Sequence, residues 1–345
     1  MYNPVDPKEK NDIVVLAIES SCDETACAIV KNGREVLAST IATQIEIHKR
    51  FGGVVPEIAS RNHTMAIETV VNETIEKSGL SIENIDAIAV TYGAGLLGAL
   101  LVGVNYAKGL AYAYNKPLYG ISHIRGHIAA NYIGTDLKPP YLCLLASGGH
   151  TAVLNVKSYT EIEALASSKD DAAGEAFDKV ARVLSLPYPG GPEIEKLAKQ
   201  GKTNIEMPCP SFTDKDELWF SFSGIKTFVI NYAHKLEQKG EEMIREDVAA
   251  SFQEAAVTQL FNTTLNAAKR TGVKDIAIAG GVSANLCLRS RFDSLKEQGY
   301  NIYYPQLKYC TDNAAMIGAE AYYAIKSGKE MSPLSLDAKA TVPLK

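Results

Sequence analysis

Apolar residues run from Ile13 to Ile18, give way to the polar, acidic stretch Glu19 to Thr25, and resume from Ala26 to Val30, a pattern that predicts a β-hairpin. The same form returns about one lobe later. Tyr141 to Ala146 is apolar, Ser147-Gly148-Gly149-His150-Thr151 reads as a turn, and Ala152 to Val156 is apolar again. Each hairpin is followed at a distance by an α/β unit. In the first half the pattern predicts strand Ile85 to Val90, helix Leu96 to Tyr114 and strand Leu118 to Ser122. In the second half it predicts strand Asp275 to Ala279, helix Ser283 to Lys296 and strand Ile302 to Tyr304. Duplicated halves of this kind fit two similar lobes facing one cleft, although α/β proteins also repeat such pieces by default.

Between the halves, Asp170 to Ser185 and Pro192 to Lys199 read as helices interrupted by Pro187, Pro189, Gly190 and Gly191. Residues 207–219 read as a loop containing Pro208 and Pro210, and helices from Gly224 to Lys239 and Arg245 to Thr271 complete an insertion expected to wall one side of the cleft. The chain has 345 residues, 46% hydrophobic and 22% charged, an ordinary globular composition. Single cores stop growing at roughly 250 to 300 residues, which favours two lobes.

Six cysteines stand singly with no CxxC pair, so neither a disulfide framework nor a thiolate zinc site is indicated. The polar start and the lack of a run of about 18 apolar residues point to a cytoplasmic chain with no membrane partner. A net charge of −5 argues against bulk electrostatic coating of nucleic acid, so any RNA contact must be local or shared with a partner.

Several residues are candidates for chemistry. His123 and His127 stand at the end of a predicted strand and the start of a helix, where a spacing of four puts both imidazoles on one face, near enough to share a metal. A bare HxxxH is more often a pair of capping or packing histidines. Ile124 occupies the place where the metallopeptidase HExxH motif needs a glutamate, which disfavours peptide hydrolysis. Asp312, in Cys310-Thr311-Asp312-Asn313, stands at the start of a helix, where an acidic side chain by default caps the free N–H groups and otherwise projects into a cleft; two imidazoles and one carboxylate would leave coordination positions open, as in a catalytic metal site. The glycine turns at 147–150 and 279–285 suit close backbone approach to a nucleotide, and no Walker A sequence is present. Asp23 and Glu24 lie in the first hairpin turn. Asp178, followed by Tyr188-Pro189-Gly190-Gly191, stands where a loop would bring Gly191 beside the same ligand.

Together these motifs resemble the universal tRNA threonylcarbamoyladenosine transferases of the bacterial TsaD type, formerly described as O-sialoglycoprotein endopeptidases. The resemblance runs from about Ile13 to Ala324 through ESSCDET at 19–25, GGVVPEIASR at 52–61, His123 to His127, Ser147 to Thr151, DDAAGEAFDK at 170–179, FSFSGIK at 220–226, Gly280 to Asn285, and CTDNAAMI at 310–317. It implies an α/β ASKHA (actin-like ATPase) fold, two duplicated RNase H-like lobes around a nucleotide cleft. The N-terminal lobe would span 12–135, with helix 312–326 packing back on it, and the C-terminal lobe 136–311, with a helical insertion at about 170–250.

The resemblance also implies one divalent ion, iron(II) before zinc, on His123, His127 and Asp312. Leu145, Ala146, Ser147, Gly148, Gly149, Asp178, Gly191, Glu195 and Asn285 would bind threonylcarbamoyl-AMP, and Glu24, with Asp23 as the alternative, would assist proton loss or support the group that does. The implied reaction is attack by the exocyclic amine of the tRNA adenosine 3′ to the anticodon, in tRNAs reading codons that begin with A, on the carbamoyl carbon, releasing AMP, with TsaB-like and TsaE-like subunits as partners. Glu195 stands where relatives often carry aspartate, and Ala94 replaces a usual proline. The competing readings are an ASKHA kinase or ATPase, which needs no two-histidine metal site, a metallopeptidase, and a nucleotide-gated scaffold without turnover.

Overall fold

The computed structural model describes residues 2–208 and 218–343. The first strands are β1 (Val14–Glu19), β2 (Glu24–Lys31) and β3 (Glu35–Thr43). They are followed by a short helix α1 (Ile45–Lys49), a long helix α2 (Pro56–Ser78), strand β4 (Ala87–Gly93), helix α3 (Leu97–Ala113), strand β5 (Leu118–Ser122) and helix α4 (His123–Ala129). The second series is β6 (Tyr141–Ala146), β7 (Thr151–Val156), β8 (Ile162–Ser168), α5 (Ala173–Val183), α6 (Gly190–Ala198), β9 (Trp219–Phe220), α7 (Ser223–Lys239), α8 (Arg245–Thr271), β10 (Asp275–Ala279), α9 (Leu286–Asp293) and β11 (Asn301–Tyr303), and α10 (Ala314–Lys326) closes the order.

The chain divides into two compact units. One holds 1–139, 157–162 and 305–345, and the other 140–156 and 163–304. In the first unit the strand order is β3-β2-β1-β4-β5, with β1 antiparallel to β2 and parallel to β4. In the second it is β11-β10-β6-β7-β8-β9, with β6 antiparallel to β7 and parallel to β10. Read from the other edge, β8-β7-β6-β10-β11 repeats the first sheet strand for strand. The duplicated hairpin-plus-α/β grammar of the sequence is therefore a duplicated sheet.

Central strands are apolar because both their faces are covered. On β1, Leu16 and Ile18 join Ile67, Val71, Leu100 and Val104 of α2 and α3 in one core. Side chains alternate along a strand, so Ala17 turns to the opposite face, where Gly318 of α10 rests against Ala17 and Val30. Glu19 shares the face of Ala17. In the second unit, Leu142, Leu144 and Ile278 pack with Phe177, Phe252 and Leu260.

The sequence pattern placed no element over β3 or α2. Both are partly exposed, so their apolar signal is diluted by polar positions. The helix expected from Ser283 to Lys296 is divided: Asn285 is extended (φ −65°, ψ 121°) and accepts from Leu288 N as the cap of α9, which ends at Asp293. The helix expected from Asp170 begins at Ala173, because Asp170 is engaged elsewhere: its carboxylate accepts from Phe222 N at 2.8 Å and from Ser221 Oγ at 2.5 Å, capping the start of α7. Helix α6 begins at Gly190, two residues before the predicted Pro192. The loop expected over 207–219 lies mostly outside the described residues, as does Cys209. No helix among the described residues is long and apolar enough to cross a membrane.

Candidate metal centre and nucleotide turns

Strand β5 ends at Ser122 and α4 starts at the next residue, so the first turn of the helix carries His123 and the second carries His127. Their rings lie edge to face with centroids 4.6 Å apart. Asp312 reaches them from the residues before α10. It does not cap that helix: Asn313 does, its Oδ1 accepting from Met316 N at 2.9 Å while its amide donates to Thr311 O at 2.7 Å. Relieved of the capping role, Asp312 places Oδ1 3.4 Å from His123 Nε2 and 3.3 Å from His127 Nε2. One ligand atom from each of the three residues lies within 4.8 Å of the others.

The fit to a metal ion rests on His127. It is buried, and neither ring nitrogen makes a hydrogen bond among the described residues; the approach of Nε2 to Asp312 is at ion-pair distance but lacks hydrogen-bond geometry. Buried polar atoms are normally satisfied, so an unsatisfied imidazole aimed at a carboxylate and a second imidazole calls for a ligand. Two imidazoles and a carboxylate suit zinc or iron and leave positions open.

The charges are mutually dependent. Burial opposes a charged His123, but the carboxylates of Asp312 and Glu19 outweigh it and raise the imidazole to about 9. Burial likewise works against an ionised Asp312, and the imidazoles of His123 and His127 overcome it, holding the carboxyl down at about 2. A divalent cation would take the place of the proton that this negative pocket now favours.

Asp23 and Glu24 occupy the bend before β2 and its first position. Burial, reinforced by Asp23 and Asp312, pushes the Glu24 carboxyl up to about 8, with the Thr43 hydroxyl pulling the other way. Glu24 Oε1 accepts from Thr43 Oγ1 at 2.9 Å, whereas Oε2 is buried without a partner among the described residues. Burial also raises Asp23. One buried histidine not singled out in the sequence braces this bend: His63 on α2 lies 2.7 Å from Thr25 Oγ1 and 2.9 Å from Cys22 O. Another, His48 on α1, accepts from Val55 N at 3.3 Å. Glu19, known from the sequence only as the first letter of a motif, lies 3.1 Å from His123 Nδ1.

In the second unit the candidate nucleotide residues gather at the ends of β6 and β10 and the starts of three helices. Gly174 N donates to Ser147 O at 3.1 Å, joining the start of α5 to the 147–150 turn. Gly280 has φ +86° and a side chain there would collide with the Ala146 carbonyl, so only glycine lets the β10 turn meet the β6 turn. Asp178 accepts from Gly190 N at 2.7 Å, which fixes the start of α6 and hence Gly191. Glu195 accepts from Leu286 N at 3.4 Å, beside Asn285, whose amide donates to Gln253 at 2.9 Å. A side chain added at Gly148, Gly149, Gly191 or Gly281 would meet nothing within 4 Å, so these backbones border open space.

The family model for tRNA N6-adenosine threonylcarbamoyltransferase (TsaD) matches residues 35–319. A protein of that name from Clostridium novyi (strain NT) is 54% identical over 330 residues, covering 95% of this chain and 96% of the relative. One from Clostridium beijerinckii is 53% identical over 334 residues, covering 96% and 98%. Among solved structures, full-length HypF in its phosphate- and nucleotide-bound form superposes with a TM-score of 0.62 at 15% identity, over 92% of this chain and 47% of that one. Component A of the (R)-2-hydroxyglutaryl-CoA dehydratase of Acidaminococcus fermentans gives 0.55 at 18% identity, over 92% and 100%. These two likenesses are of fold, and the class is ASKHA.

Proposed function

We infer the course of the reaction from the fact that this chain belongs to the tRNA N6-adenosine threonylcarbamoyltransferase family, and so transfers a threonylcarbamoyl group to N6 of an adenosine in tRNA. The donor is threonylcarbamoyl-AMP and the acceptor is the adenosine 3′ to the anticodon, in tRNAs reading codons that begin with A. The amine nitrogen attacks the carbamoyl carbon, the bond from that carbon to the phosphate oxygen breaks, AMP leaves, and the amine gives up a proton.

His123, His127 and Asp312 would hold one divalent ion, iron(II) before zinc; the observation that carries this reading is the buried His127, unsatisfied among the described residues and facing Asp312. Once bound, the ion would supply Lewis acidity toward the mixed anhydride and its developing negative charge. Glu24 takes the amine proton, with Asp23 supporting it. A carboxylate whose pKa stands near 8 is a far stronger base, once ionised, than an ordinary glutamate, and its Oε2, without a partner among the described residues, is left to accept.

The adenylate is bound by backbone groups of Leu145, Ala146, Ser147, Gly148 and Gly149, by Gly191 and by the side chains of Asp178, Glu195 and Asn285. The glycines bordering open space support this, since backbone N–H groups there are accessible to phosphate and ribose. Asp178 also holds Gly190 through Oδ1, and with it the Gly191 turn.

The site of action is the cytoplasm, and TsaB-like and TsaE-like subunits complete the machinery. With 35 Lys plus Arg against 40 Asp plus Glu, the chain has too little positive field to hold a large polyanion unaided, and of the local cations Lys49, Arg50 and Arg61, Lys49 is paired with Glu46 and Arg61 with Glu57. The test is transfer of a threonylcarbamoyl group to unmodified tRNA by the metal-loaded chain with and without the two partners. Transfer is expected only on mixing, weakening steeply with salt. Multiple turnover by the chain alone at physiological salt removes the partners from the proposal.

A further inference from the structure

Glu19 ends β1 as the one charged residue of a strand that otherwise reads VVLAI, and it is wholly buried. A carboxylate in such a position is costly unless donors surround it. Three do. Ser21 N donates to Oε1 at 2.5 Å, Thr91 Oγ1 donates to Oε2 at 2.6 Å, and His123 Nδ1 lies 3.1 Å from the same Oε2. Thr91 belongs to β4, the neighbour of β1, so two adjacent strands fix the carboxylate independently of the histidine. The Ser21 hydroxyl adds a second contact to His123 Nδ1 at 3.0 Å.

An ionised carboxylate can only accept hydrogen bonds, so Nδ1 of His123 keeps its hydrogen, and when the ring gives up its other proton to bind an ion the lone pair is left on Nε2, the atom that faces Asp312. His127 has no comparable support, since its Nδ1 is buried without a partner among the described residues. The two imidazoles are thus unequal: one is braced from behind and the other is not.

We propose that Glu19 is a positioning residue of the metal centre, fixing the tautomer and ring angle of His123 through Nδ1 so that Nε2 is presented to the ion, with Thr91 and Ser21 N holding Glu19 in turn. The proposal rests on the metal reading above. Carboxylates behind metal-bound imidazoles commonly raise metal affinity ten- to a hundredfold.

The test is titration of zinc and of cobalt(II) into the metal-free chain, Glu19→Gln and Thr91→Val, in competition with a chromophoric chelator. Glutamine keeps the shape but not the charge. Its affinity is expected to fall about ten- to a hundredfold, with a changed cobalt d–d spectrum, while circular dichroism of the metal-free variant stays that of the folded chain. Thr91→Val, which leaves Glu19 and His123 in place, should lose less affinity in the same direction. Unaltered affinity and spectrum in folded Glu19→Gln overturns the inference while leaving the metal reading intact. If Glu19→Gln does not fold, Thr91→Val decides: weakened binding supports the inference and unaltered binding overturns it. If the parent chain takes up neither ion, the metal reading fails and this inference with it.

Discussion

Arg125 Nε meets Glu320 Oε1 at 2.5 Å, and this ion pair ties the helix that carries both histidines to the helix that follows Asp312. Glu320 is buried, and burial raises its carboxyl against the opposing pull of Arg125 and, less strongly, Lys329. The guanidinium also donates to Tyr159 O at 2.6 Å. Removing one member of a buried pair leaves the other charge uncompensated, at a cost of about 3 to 5 kcal/mol. Glu320→Ala should lower the stability of the metal-free chain by that order in urea unfolding, and lower its metal content although no ligand has changed.

Alanine at His123, His127 or Asp312 should remove most bound metal and abolish transfer while the fold persists. His127→Ala is expected to cost least in stability, because it deletes two buried nitrogens that have no hydrogen-bond partner among the described residues. Elemental analysis beside circular dichroism checks this. Full occupancy in all three variants would falsify the assignment of the ligands.

Metal uptake should release protons. His123 stands at about 9 in the metal-free chain, so at pH 7.5 it is largely charged and must deprotonate to bind. Affinity should climb about tenfold per pH unit and level off near pH 9, with heats of binding that depend on the ionisation enthalpy of the buffer. In the metal-free chain the sign for stability is opposite. The raised value of His123 contributes stability in full below about pH 6.5, its unfolded value, and that contribution is lost as pH rises through 9.

Glu24 makes a second pH statement. Its carboxyl is raised to about 8, so the unfolded chain ionises there first and the stability that its neutral form contributes drains away between about pH 4.5 and 8. Glu24→Gln should flatten that part of the stability profile. It should also slow transfer by about a hundred- to ten-thousandfold, as expected for loss of a general base. A variant with parental turnover would remove Glu24 from the chemistry.

In the second unit, Gly191→Val places a branched side chain where the backbone borders open space. It should weaken binding of a stable adenylate analogue without loss of metal. Asn285→Ala should act twice, weakening the analogue and removing the α9 cap at a cost of about 1 kcal/mol. Calorimetry with the analogue beside thermal melting separates the two effects.

Local signals along the chain were enough for the apolar central strands, the hairpins on either side of the polar turns, and the strand-to-helix junction that sets His123 and His127 on one helix. These depend on periodicity and spacing within a few residues, which the backbone geometry of strands and helices makes legible. The ligand and site assignments came instead from the order of motifs that the chain shares with a family. From the sequence Asp312 either caps the helix it begins, the default for such a residue, or projects into a cleft; the fold gave the cap to Asn313 and turned Asp312 toward the imidazoles. The sequence could not announce Glu19, because a glutamate at the end of a strand becomes a histidine's brace only when β4 brings Thr91 alongside and α4 starts at the end of β5. Glu195 meets Leu286, and Arg125 meets Glu320, across similarly long stretches of chain. Such pairings follow from sheet order and helix packing, which are set by the sum of many burial contacts rather than by any short pattern, and only the tertiary structure decides them.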